Sequence, residues 1–141
     1  MAFFILCDSE GAITQYGQLD DESFDLLETA PGITKIRLEK PPRDVLTFLR
    51  LYRLHEGAIM ARRPMECSAN TTVIKADGKD LLSITGLPKP CTVTISGMLQ
   101  AGPFPLQDGE LHLTADVPGI LRVQVEAGIE WIPWEAVFRA T

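Results

Sequence analysis

Residues 72–97 read TVIKADGKDLLSITGLPKPCTVTISG and residues 108–127 read DGELHLTADVPGILRVQVEA. In the second stretch Leu111, Leu113 and Ala115, and then Leu121, Val123 and Val125, put an apolar side chain at every other position. That is the period of a strand with one face buried and the other in water. The interruptions are turn residues: Asp77-Gly78, Gly86-Leu87-Pro88, Gly97, Asp108-Gly109 and Pro118-Gly119, where Gly allows a positive φ and Pro presets a negative one. Strands are therefore expected over 71–75, 81–85, 92–96, 103–106, 110–115, 120–126 and 131–138. Short strands separated by turns at this spacing describe an antiparallel β-sandwich.

Before residue 66 the pattern is different. Ala2-Phe3-Phe4-Ile5-Leu6-Cys7 is a β-rich run, Asp8-Ser9-Glu10-Gly11 has turn chemistry, and 12–16 alternates again, which together predict a hairpin. Asp20 and Asp21 stand where a helix N-cap belongs, with Phe24 and Leu27 on one face, so a short helix is expected to about residue 29. After Pro31-Gly32, residues 33–38 alternate as a strand that ends at Lys40-Pro41-Pro42. Val45, Phe48, Leu49 and Tyr52 recur at helical spacing, yet 49–54 also reads as a strand; the turn His55-Glu56-Gly57 favours a hairpin over 51–61. The chain is thus expected to be mainly β, with two domains. A small mixed β domain with one short helix occupies 1–65 and a sandwich occupies 66–141, divided near Arg63-Pro64-Met65.

Composition narrows the function. The 141 residues carry 13 basic and 19 acidic side chains, a net charge of −6, so the cationic surplus that drives nucleic-acid binding is missing and no nucleic-acid partner is expected. The longest apolar run, residues 2–7, is far short of the roughly 20 residues of a membrane span, and no basic flank or cleavage pattern marks it as a signal peptide. A soluble, unexported chain with no membrane insertion is expected. Cys7, Cys67 and Cys91 are odd in number and widely spaced, which reads as reduced core thiols, although Cys67 and Cys91 on facing strands would be able to pair on oxidation.

No catalytic constellation is expected: the two histidines, His55 and His112, stand apart, and no phosphate loop, HExxH pair or CxxC motif occurs. No cofactor or metal is expected either. The carboxylates from Asp20 to Glu28 lack the alternating ligand spacing of a calcium loop, and Asp77-Gly78-Lys79-Asp80 reads as a turn. The candidate residues are instead those of a contact surface. Trp131 and Trp134 lie three apart, so strict alternation does not bury both unless Pro133 breaks the strand. An exposed Trp is a frequent interface anchor. Met98, Leu99 and Phe104 belong to an apolar, Gly/Pro-rich connection, and Arg62 and Arg63, with Arg50 and Arg53, form a candidate basic patch.

The two quoted stretches resemble the bacterial immunoglobulin-like modules of phage tail, virion and bacterial surface proteins. The resemblance is carried by Ala76-Asp77-Gly78, by Ser83-Ile84-Thr85, and by Asp116-Val117-Pro118-Gly119 leading to Val123 and Val125. The first half is similar to the opening of small phage tail-associated proteins at Asp8 to Thr14, Tyr52, Gly57 and Arg63-Pro64. These modules share a scaffold and no chemistry. The resemblance implies a structural virion part assembled in the host cytoplasm, at the tail tip, baseplate or fibre, with other tail proteins as partners and repeated copies. A receptor- or carbohydrate-binding module, with a host surface glycan or protein as its target, and a tail-fibre assembly chaperone are the alternatives.

Overall fold

The computed structural model describes all 141 residues and is mainly β, 48% strand against 9% helix. It divides into two compact units, Met1–Arg62 and Arg63–Thr141. No helix is long and apolar enough to cross a membrane.

In the first unit, β1 (Ala2–Cys7) lies between β2 (Ile13–Leu19) and β3 (Thr34–Leu38), antiparallel to both. As the middle strand it is covered on both faces, which is why it reads as an unbroken apolar run. Ala2, Phe4 and Leu6 point one way, into a cluster with Phe24 of α1 (Asp21–Leu26). Ile5 and Cys7 point the other way, toward Phe48 and Leu49 of α2 (Val45–Leu51) and Leu54 and Ile59 of the hairpin β4 (Tyr52–His55) and β5 (Ala58–Ala61). Phe4 faces Gly17 across the strand pair, and a Cβ at residue 17 would lie 2.5 Å from the Phe4 ring. The missing side chain is the space the ring fills. Asp20 caps α1 by accepting from the Ser23 N–H at 2.8 Å. At the other end of α1, the Lys35 ammonium donates to the Phe24 and Leu27 carbonyls at 2.7 and 3.0 Å, a cation where the helix dipole favours one.

The unit has a second helix where only one was expected. Residues 45–51 are helical because Asp44 caps them, its carboxylate accepting from the Thr47 N–H at 3.1 Å and from the Thr47 hydroxyl at 2.9 Å. The helix stops as Tyr52 turns extended and enters the hairpin, so the two competing readings of 45–54 occupy successive segments. The two units meet between Arg62 and Arg63. The Arg62 N–H donates to Leu51 O inside the first unit, whereas the Arg63 N–H donates to Glu130 O and Met65 is buried in the core of the second.

The second unit contains two sheets. One has the order β10 (Ala101–Leu106), β9 (Cys91–Gly97), β12 (Gly119–Glu126), β13 (Trp134–Ala140) and β7 (Val73–Ile74); the other runs β11 (Leu111–Leu113), β8 (Leu82–Thr85), β6 (Ser68–Ala69). All neighbours are antiparallel except β13 and β7. Both sheets feed one core: Val93, Ile95, Leu121, Val123 and Val125 from the first, Leu82, Ile84 and Leu111 from the second. The expected seven strands are present, several of them shorter, and β6 is an eighth too short to give a periodic signal. The last strand begins at Trp134 and leaves Trp131 outside it.

A Gly17→Val substitution is expected to destabilise the first unit by about 1–3 kcal/mol, because the branched side chain meets a ring that has nowhere to go. Denaturant titration followed by circular dichroism checks this, and Phe4→Leu in the same chain should recover part of the loss. Hydrogen bonds from the Thr47 backbone and hydroxyl hold the Asp44 carboxyl below its ordinary value. Its contribution is thus present above the unfolded-state value near 3.9 and is lost as pH falls through the lower folded one. Asp44→Ala should therefore lower the thermal midpoint at pH 7, and the gap from the parent chain should close on acidification below about pH 4.

Candidate functional site

The sequence candidates fall on different elements. Trp134 stands opposite Val125 at the start of β13 and packs half-buried against the core, as Ala136 and Phe138 do further along the same face. Phe104 pairs with Val93 and also leans on the core, so the apolar character of 98–105 belongs partly to an edge strand, β10. Met98 and Leu99 are exposed in the connection from β9 to β10. Of the four arginines of the expected patch, Arg50, Arg53 and Arg62 lie in the first unit and Arg63 in the second.

Arg63 and Trp131, read separately from sequence, come together. Residues 63 and 131 form a parallel bridge in which the Arg63 N–H donates to Glu130 O at 2.7 Å and the Ile132 N–H to Arg63 O at 2.8 Å. The backbone pairing lays the guanidinium over the indole, 4.5 Å from the ring centroid, and one of its nitrogens reaches the Glu130 carboxylate at 2.9 Å. Each contact is exposed and worth about 1 kcal/mol or less, but together they fix the orientation of the ring. Glu130 was not legible as part of this group, because it is 67 positions from Arg63 in sequence and only the fold joins them.

Beside this pair opens a cleft of about 450 Å³ lined by Arg63, Pro64, Glu66, Leu87, Pro88 and Trp131. Gly86, also on the lining, makes the close approach: its φ is +77°, and a Cβ there would lie 2.7 Å from Glu66 O. Leu87 closes the floor, buried in the core, with its N–H donating to Gly109 O at 3.1 Å. The prolines and the indole are stiff surfaces that lose little freedom on contact, and Arg63 and Glu66 supply one charge of each sign. Such a wall suits a mixed apolar and polar partner segment.

Other polar groups are arranged differently. His112 lies across from Ser83, its Nδ1 3.0 Å from the hydroxyl and its Nε2 3.3 Å from the Glu110 carboxylate. All three sit on an outer sheet face, where they form a cross-strand polar ladder. His55 and Glu56 stand 3.9 Å apart at the tip of the first unit's hairpin. Burial pushes the thiols of Cys7, Cys67 and Cys91 above their ordinary value, with Asp8, Cys91 and Asp108 respectively adding to the effect, which suppresses the reactive thiolate.

Arg63→Ala is expected to uncover the Trp131 ring at little cost in stability. In a Trp134→Phe background, Trp131 fluorescence should become more accessible to a neutral quencher while the unfolding midpoint moves only slightly; unchanged quenching would mean that the guanidinium does not cover the ring. Comparison with family models, with curated proteins and with solved structures finds no match to this chain.

Proposed function

We propose that this chain is a non-enzymatic attachment component of a phage virion, at the tail tip, baseplate or fibre, whose second unit is an immunoglobulin-like sandwich. The observation that carries the attachment reading is the Arg63–Trp131 pair set in a cleft walled by Pro64, Leu87 and Pro88. Aromatic and Arg side chains held in place beside apolar walls are the usual anchors of protein contacts. The virion setting is supported by the resemblance of 72–97 and 108–127 to modules of that kind.

Strand order supports the sandwich. The series β10-β9-β12-β13 corresponds to C′-C-F-G of an immunoglobulin-like module, and β11-β8-β6 to E-B-A. The shared core between the two sheets is what such packing requires. A protein partner is favoured over a sugar because a sugar stacks on an open ring face, and Arg63 already covers one face of Trp131.

In particles purified from the source and analysed by quantitative mass spectrometry, the chain should be present at a few copies relative to the major tail subunit. Its absence, despite expression in the infected cell, would contradict the structural reading and leave the assembly chaperone.

A further inference from the structure

The first unit carries its charge in two layers. On one face of the sheet, α1 and its flanks hold Asp20, Asp21, Glu22, Asp25 and Glu28 against Lys35 and Arg37 of β3 and the Met1 ammonium paired with Asp21, a surplus of two negative charges. The segment 40–62, which supplies α2 and the hairpin on the opposite face, holds Lys40, Arg43, Arg50, Arg53 and Arg62 against Asp44 and Glu56, a surplus of three positive charges. The sheet between them keeps the two layers apart.

Each layer also presents a large apolar side chain to water. Leu26 in α1 is 72% exposed and Leu46 in α2 is 79% exposed, above every other large hydrophobic residue of the chain. Tyr52, stacked on Phe48 at 5.1 Å, adds a partly exposed ring on the α2 side. Neither leucine contributes to its own core, and each stands among charges opposite in sign to those around the other.

We propose that the first unit docks on a second copy of this chain, the acidic α1 face of one copy meeting the basic α2 face of the next. Charge complementarity steers the encounter and makes it salt-dependent, while Leu26 and Leu46 supply the apolar contact at the centre. Because the two patches lie on opposite faces of one sheet, the contact is heterologous. Each joined pair keeps one free patch of each kind, so assembly continues to a ring or a filament. This goes beyond the attachment reading, which rests on the second unit.

Sedimentation velocity of the full chain tests it. At about 0.05 M salt the chain should form species larger than a dimer, and these should dissociate at about 0.5 M, where the screening length is only a few ångströms. Leu46→Asp with Arg50→Glu removes the basic face; Asp25→Lys with Leu26→Lys removes the acidic one. All four side chains are exposed, and circular dichroism confirms that each variant stays folded. Each variant alone should be monomeric, and an equal mixture should give a one-to-one dimer and nothing larger, since each copy retains one intact face. A parent chain that stays monomeric at low salt, a parent dimer that does not grow, or a mixture that fails to pair would overturn the inference. A monomeric chain still found in purified particles would overturn it and leave the attachment reading standing.

Discussion

The second unit depends on one layer of side chains that two sheets bury together. Val93, Val123 and Val125 of the five-stranded sheet and Leu82 and Ile84 of the three-stranded one are completely shielded from water, each contributing about 1.5–3 kcal/mol by leaving it. With these side chains buried in one core, the alternate positions point outward, as Thr92, Arg122, Gln124 and Glu126 do. The segments that do not join the layer are left to other contacts. Trp131 lies between β12 and β13, where the strand pattern fails, and is held by backbone pairing to Arg63 instead of by a sheet.

The same physics with a different arrangement organises the first unit. A three-stranded sheet with apolar side chains on both faces of its middle strand needs two covers, and α1 supplies one and α2 with its hairpin the other. Because the covers come from different stretches of sequence, their charges are free to differ. The acidic run from Asp20 to Glu28 and the exposed Arg43 and Arg50 then belong to segments that cover opposite sides of the same sheet. Edge strand β3 carries Lys35 and Arg37, which tie α1 down and also discourage indiscriminate strand pairing.

Much of this was legible in sequence because period-two alternation is a strong signal where one face is buried. The runs at 111–115 and 121–125 announced their strands, and Asp20 announced its cap. Legibility failed where structure is fixed by contacts distant in the chain. β6 is two residues that exist only because Ile84 and Thr85 pair with them. The helix 45–51 overlapped a strand reading of 49–54; its cap at Asp44 starts it, and the strand follows from Tyr52. In the candidate site, Arg63 and Trp131 were each visible as residue types, but their stacking required a parallel bridge between segments 68 positions apart. Arg62, its neighbour in sequence, belongs to another unit because its backbone bonds to Leu51.

Attachment through the cleft beside Trp131, as proposed, makes the residues on its wall the ones that touch the partner. The most direct test places a photo-crosslinking amino acid at Glu66, an exposed position on the cleft wall, and a second, separate one at Gln124 on the outer face of the five-stranded sheet. Irradiation of assembled particles should join the chain to one defined particle protein from position 66 and to little or nothing from position 124. Cross-linking from position 124 with none from 66 would rule out the cleft and move the contact to the sheet face.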